Sequence, residues 1–307
     1  MARCFVTRRL PGGALERLAV EHEVDVWPER LPPSPDELRA RTAPSDGLLS
    51  LLTDPVDADV IASAPRLRVI SNYAVGVDNV DLGAARARGI RVGNTPDVLT
   101  DATADLAFAL LLAVARRLPD GAAAVRTGQW LTWEPDWLLG RDVHRATLGI
   151  VGMGRIGRAV ARRAEGFEME VLSAHTVPLD ELLPRADFVS LHVPLTPETQ
   201  RLVDADALRR MKPTAYLVNT ARGGIVDQDA LARALHEGWI AGAALDVTDP
   251  EPLPADHPLL GAPNLIVLPH LGSATHATRE RMADLAVDNL LAGLAGKPLP
   301  HEVGVGD

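Results

Sequence analysis

From the first residues, short apolar runs alternate with longer stretches whose apolar positions recur at helical spacing. Cys4–Thr7, Val24–Trp27, Gly47–Leu52, Leu67–Ser71 and Ile90–Val92 read as strands. Ala14–Val20, Asp36–Arg41, Ala58–Ala64 and Leu82–Arg88 read as the helices between them. Connections this short predict a parallel sheet covered by helices on both faces. Asn94-Thr95-Pro96 interrupts the pattern, and a helix apolar on almost every side follows from Thr100 to about Arg117. Such a helix belongs between layers and not on a surface. A second alternation then begins, with strands predicted at Ala146–Val151, Met169–Ser173, Phe188–Leu191, Ala215–Asn219, Ala241–Asp246 and Leu265–Leu268, and a helix at Gln228–Glu237. The closing helix, Thr275 to Leu294, follows the last strand of that second sheet and is expected to fold back on the first.

Composition narrows the reading. A chain of 307 residues with 47% hydrophobic content can bury a large core, and its length suits two domains. A net charge of −10 argues against a nucleic-acid or anionic-membrane binder. The longest apolar stretch, Leu106 to Ala115, is too short to cross a bilayer. No long apolar region follows Arg8-Arg9, so the N-terminus reads as a first strand and not a signal peptide. Cys4 is the only cysteine, which excludes an intrachain disulfide and suits a reducing, cytoplasmic setting. In an apolar strand it reads as an inert buried thiol.

Two patterns carry chemistry. Ala146–Val151 runs straight into Gly152-Met153-Gly154-Arg155-Ile156-Gly157, which opens a helix. In a dinucleotide site Gly152 would permit the tight turn, Gly154 the approach of a pyrophosphate, and Gly157 close packing of helix on strand. A structural turn with no ligand would carry the same glycines. The second pattern lies in the residues just past each strand, since open parallel sheets bind ligands beyond their carboxyl ends. Val75-Gly76-Val77-Asp78 can turn backbone N–H groups to an anion. Arg222, Glu251 and His270 each come after a different strand of the second sheet. Singly they read as a surface ion pair, a turn carboxylate and a satisfied strand-end histidine; together they read as one site. The other histidines show no metal-ligand spacing, so no metal is expected. Gly128–Trp137 gathers three tryptophans, either over a local core or as an interface arm.

These motifs, with Asn219-Thr220-Ala221-Arg222-Gly223, Asp246-Val247, Glu251-Pro252 and Pro269-His270-Leu271-Gly272-Ser273, resemble the D-isomer-specific 2-hydroxyacid dehydrogenases over essentially the whole chain. Asn72 to Asp78, the tryptophan-rich arm and Leu245 to Leu253 look most like the glyoxylate/hydroxypyruvate reductase branch. The resemblance implies an α/β fold of two doubly wound parallel-sheet domains. A Rossmann dinucleotide-binding domain (99–273) would be inserted in a flavodoxin-like substrate domain (1–98 and 274–307). It also implies a homodimer with the Trp133 region at the interface. Residue reading and resemblance together give Gly152, Gly154, Arg155, Ile156, Gly157, Ser173, His175, Thr176, Pro194, Thr199, Thr220, Ala221 and Asp246 as candidate cofactor contacts. Leu52, Val75, Gly76 and Arg222 are the candidate substrate contacts. Related dehydrogenases of phosphoglycerate, D-lactate or phosphite, and a nucleotide-sensing scaffold of the corepressor type, remain alternatives.

Reducing a 2-keto acid requires a hydride at the carbonyl carbon, a proton at its oxygen and a cationic anchor for the carboxylate. Arg222 offers the planar fork for the anchor, His270 the proton, and Glu251 a partner that orients the imidazole. About twenty residues past the glycines an NAD site shows an acidic side chain for the ribose. Here Ser173-Ala174-His175-Thr176 stands there without a carboxylate, and the chain runs almost directly into Val177–Leu182. NADP(H) is therefore favoured, with NAD(H) as the alternative.

Overall fold

Short runs form the strands, and those in the middle of each sheet are buried on both faces, as parallel pairing beneath helices requires. The computed structural model describes residues 1–304 and contains two units, Met1–Leu99 with Ala274–Asp307, and Thr100–Ser273. The first opens as β1 (Arg3–Val6), α1 (Ala14–Glu21), β2 (Glu23–Val26), α2 (Pro35–Thr42), β3 (Gly47–Ser50), α3 (Ala58–Ser63), β4 (Val69–Asn72), α4 (Leu82–Ala87) and β5 (Arg91–Gly93). Its sheet is parallel in the order β2-β1-β3-β4-β5. Side chains fix where the helices begin. Ser34 and Glu37 form a reciprocal capping box on α2, and Asp57 and Asp81 cap α3 and α4.

The second unit runs α5 (Thr100–Ala115), α6 (Leu118–Arg126), β6 (Thr147–Val151), α7 (Arg155–Glu165), β7 (Glu170–Ser173), α8 (Leu179–Leu182) and β8 (Phe188–Leu191). It continues with α9 (Ala205–Arg210), β9 (Tyr216–Asn219), α10 (Gln228–His236), β10 (Gly242–Leu245) and β11 (Leu265–Val267). All its strands are parallel, in the order β7-β6-β8-β9-β10-β11. Alternate residues of each strand enter different cores. Leu148 and Ile150 join Leu111, Val160, Phe188 and Val218 on one face, while Val151 joins Leu182, Val189, Leu217 and Leu231 on the other. Gly149 faces the second core, where a Cβ would fall 2.5 Å from Leu182 Cδ2. The chain then returns to the first unit as α11 (His276–Leu294), whose Leu290 lies against Gly47 and whose Gly293 admits Val69.

Two features depart from the sequence pattern, the end of the apolar helix and the helix that follows it. The apolar helix stops at Ala115, because Arg117 turns left-handed (φ 51°) and redirects the chain into α6. That helix was illegible because only Ala124 of its residues is buried, while Leu118 and Val125 are exposed. The sheet also lacks the third strand that a 3-2-1-4-5-6 order places outside β7. The four-residue α8 leads straight to β8, so β7 is the edge. Cys4 is fully buried in β1, and burial pushes its thiol up to about 12, which keeps it inert. No helix of the described residues is long and apolar enough to cross a membrane.

Asp187 ties the amino end of the second sheet together. It accepts hydrogen bonds from Thr147 N (2.9 Å), Arg141 Nη2 (2.8 Å) and Lys212 Nζ (2.9 Å). Burial would raise its carboxyl, but these partners outweigh burial and hold it below 3.8. A carboxyl lowered in the folded state stabilises fully above its unfolded value, and the gain is lost as pH falls through the folded value. Asp187→Asn should therefore cost about 1.5–3 kcal/mol in urea unfolding at neutral pH, with the difference from the parent shrinking in acid. An unchanged midpoint at neutral pH would remove this role.

Candidate active site

In the second sheet strand order reverses between β6 and β8, and the glycine turn lies at the carboxyl end of that pair. Gly152 has φ 101°, and a Cβ there would meet the His192 carbonyl carbon at 2.6 Å. Only glycine fits both conditions. A Cβ on Gly157 would stand 2.1 Å from Gly152 O, so the first turn of α7 packs directly on the loop. Gly154, by contrast, faces open space and precedes α7 with no side-chain cap. Exposed N–H groups at the start of an eleven-residue helix, reachable past a residue with no side chain, suit a pyrophosphate. Arg155 and Ile156 form that first turn.

The neighbouring strand ends are ordered by their own side chains. Past β7, His175 N donates to Ser173 Oγ (3.2 Å), and Thr176 Oγ1 to Ser173 O (3.2 Å), leaving His175 and Thr176 exposed. Past β8, Thr199 Oγ1 donates to Pro194 O (2.6 Å) and accepts from Thr196 N (2.8 Å), closing the Pro194–Thr199 loop. His192 pairs with Ser190 (2.8 Å), and burial pushes its imidazole down to about 4, so it is neutral. Past β9, Thr220 Oγ1 is buried with no hydrogen-bond partner in the structure. An orphaned buried hydroxyl and an open helix N-terminus on one rim fit a dinucleotide.

Arg222, Glu251 and His270 follow β9, β10 and β11. Asn219 accepts from Ala221 N (3.0 Å) and donates to Arg222 O (2.8 Å), folding the turn that carries the arginine. A Cβ on Gly223 would lie 2.0 Å from the carbonyl carbon of Thr248, so the turn presses on the segment leading to Glu251. Glu251 Oε1 accepts from Thr248 N (3.0 Å), and Oε2 lies 2.9 Å from His270 Nδ1. Each of the two side chains keeps about a quarter of its surface open (28% for Glu251, 25% for His270). Burial alone would raise the Glu251 carboxyl. The His270 hydrogen bond and charge, the Thr248 N–H and Arg222 outweigh that and hold it below the usual range. Nδ1 is thus engaged by a carboxylate, and Nε2 is the ring position left for chemistry.

Asp246, a candidate cofactor contact, also braces the segment that carries His270. It is buried, and its two oxygens accept from Leu271 N (2.6 Å) and Gly272 N (2.7 Å). Leu52, Val75 and Gly76 belong to the first unit. There Asn72 Nδ2 donates to Gly76 O (2.9 Å) and Asn94 Nδ2 to Val75 O (2.8 Å). Among the described residues the N–H groups of 75 and 76 have no acceptor, which suits an anion. Sequence reading missed the bracing roles of Asn72, Asn219, Gly223 and Thr248; only the Gly223-Gly224 pair signalled one. In the tryptophan-rich segment Trp130 and Trp133 are 60% and 80% exposed, which rules out the local-core reading. Among the described residues no three His, Cys, Asp or Glu side chains gather to hold a metal ion.

A family model described as D-isomer specific 2-hydroxyacid dehydrogenase, NAD binding domain, matches residues 108–272. A glyoxylate reductase from Korarchaeum cryptofilum is 51% identical over 98% of this chain and 95% of its own length. The crystal structure of the TT0316 protein from Thermus thermophilus superposes with a TM-score of 0.92 at 54% identity, covering 98% of this chain and 99% of that one. An NADPH-dependent glyoxylate/hydroxypyruvate reductase from Sinorhizobium meliloti, in complex with NADP and malonate, gives a TM-score of 0.85 at 33% identity over 99% and 97% of the two chains.

Glu251→Gln removes the anionic partner of His270 while keeping its size. Without that charged acceptor His270 Nδ1 loses a hydrogen bond worth about 1.5–3 kcal/mol, so kcat for carbonyl reduction should fall about tenfold or more. An unchanged kcat would separate Glu251 from the proton-transfer step.

Proposed function

The chain belongs to the D-isomer-specific 2-hydroxyacid dehydrogenases, and on that premise we propose that it reduces glyoxylate and hydroxypyruvate to the corresponding hydroxy acids, hydroxypyruvate yielding the D-form. The observation that carries this reading is the meeting of His270 Nδ1 with Glu251 at 2.9 Å, on strand ends next to the one bearing Arg222. Arg222 binds the substrate carboxylate through its planar fork and polarises the adjacent carbonyl. His270, protonated and held through Nδ1, donates the Nε2 proton to the carbonyl oxygen; in the oxidative direction it takes that proton back. The first unit offers Leu52, past β3, and the N–H groups of Val75 and Gly76, past β4, as its candidate contacts for the substrate. A nicotinamide, when bound, supplies the hydride.

For the cofactor, Gly152, Gly154, Arg155, Ile156 and Gly157 hold the pyrophosphate. Thr220, Ala221, Asp246, Pro194 and Thr199 line the path to the nicotinamide. Ser173, His175 and Thr176 present hydroxyl and imidazole groups, with no carboxylate among them to repel a 2′-phosphate, which favours NADP(H) over NAD(H). The exposed Trp130, Leu131 and Trp133 are the surface through which we infer that two copies pair. A cytoplasmic, reducing location suits the lone buried Cys4.

A panel of glyoxylate, hydroxypyruvate, pyruvate and phosphite with each reduced or oxidised cofactor tests the assignment. His270→Gln should lose about 10²–10⁴ in kcat for the keto acids while still binding NADPH. Near-normal turnover would remove His270 from proton transfer. kcat/KM should favour NADPH over NADH by about tenfold or more, a difference of about 1.4 kcal/mol, and an NADH preference would overturn the cofactor reading.

A further inference from the structure

The first sheet has its own reversal of strand order, between β1 and β3, and ligands of open parallel sheets bind at such points beyond the carboxyl ends. A cavity of about 480 Å³ lies there, within the size range of small-molecule sites. Arg8 and Arg9 reach it from the end of β1, Trp27 and Arg30 from the end of β2, Tyr73 from the end of β4, and Arg279 from α11. Glu29 is the only carboxylate among these lining residues. Four guanidinium groups around one concavity stand out on a chain of net charge −10.

The walls are fixed and two of the cations are not consumed. Trp27 Nε1 donates to Leu31 O (2.8 Å), and Arg41 stacks over the ring at 5.3 Å. Tyr73 OH donates to Arg279 O (2.6 Å). Arg8 is bound to Thr7 O and lies 3.7 Å from the buried Asp54, so it is partly spent on the fold. Arg9 and Arg30 are exposed and, among the described residues, make no hydrogen bond or ion pair. Arginine holds its charge at any working pH and presents paired N–H groups to phosphate or carboxylate. An anion held between two such groups relieves their mutual repulsion.

We propose that this cavity is an anion site of the first unit whose ligand is a small polyanion, a phosphate ester or a polycarboxylic acid. Arg9 and Arg30 take its charged groups, and its carbon frame lies on Trp27. The inference does not rest on the dehydrogenase reading, because its test is a binding measurement without turnover.

Pyrophosphate and tricarballylate serve as probes, since neither has a 2-hydroxy or 2-keto group. Calorimetric titration of the full chain should show saturable binding of at least one probe. The paired substitution Arg9→Gln with Arg30→Gln should weaken it tenfold or more and leave glyoxylate turnover unchanged. Arg222→Gln should leave it intact. A preference for pyrophosphate assigns phosphate esters, and a preference for tricarballylate assigns polycarboxylates. Absence of binding by both probes, binding that survives the paired substitution, or binding lost in Arg222→Gln would each overturn the proposal. Circular dichroism of the paired variant checks that a loss is not unfolding.

Discussion

One buried carboxylate fixes the geometry of the second unit's site. Asp246, at the end of β10, accepts the N–H groups of Leu271 and Gly272 on its side chain and that of His270 on its main-chain carbonyl (2.9 Å). His270 lies at φ 56°, a left-handed conformation that costs a residue other than glycine about 1–2 kcal/mol. Three hydrogen bonds, at about 0.5–1.5 kcal/mol each, are enough to hold it there. Burial raises the Asp246 carboxyl, while the two N–H donors and the charge of His270 pull the other way. The same brace that secures the backbone therefore places the imidazole where Glu251 can reach Nδ1.

Much of this was legible because parallel sheets make function follow strand ends. Once the apolar runs were read as parallel strands, Arg222, Glu251 and His270 had to emerge on one rim, and they do. The glycine turn was legible for a related reason. Gly152 and Gly157 sit where any side chain would strike backbone, so the sequence has no freedom there. The bracing residues were not legible. Asn219 and Thr248 act through single hydrogen bonds to main-chain groups, a role open to a polar residue in almost any loop. Asp246 reads as a ligand contact because an acid at a strand end suits that role, and the structure adds that both its oxygens accept main-chain N–H groups.

The edge at β7 shows how a deletion acts on chemistry. The absence of a strand outside β7 leaves the reversal between β6 and β8 untouched, so the glycine turn keeps its frame. What changes is the far end, where Ser173, His175 and Thr176 close a tight turn by hydrogen bonds to one another. Here that turn is open, with His175 and Thr176 exposed and no carboxylate among its side chains.

Arginine dominates the cations of this chain, with Lys212 and Lys297 the only lysines among its 31 basic residues. Counting guanidinium groups therefore says nothing about where anions bind. The discriminating property is the group that each one faces. Arg88 spends its donors on the carbonyls of Ile61 and Ala64 at the end of α3, Arg91 on Glu302, and Arg163 on Asp101 and Asp105. Those are ties within the fold. Arg222 belongs to another class, since its turn is shaped by Asn219 and Gly223 and its charge acts on Glu251. Arg9 and Arg30 stand at the carboxyl ends of β1 and β2, in a cavity whose lining holds Glu29 as its one carboxylate. Charge held in a concavity at a strand-order reversal is the arrangement in which an external anion gains most. The first sheet holds that arrangement at Arg9 and Arg30.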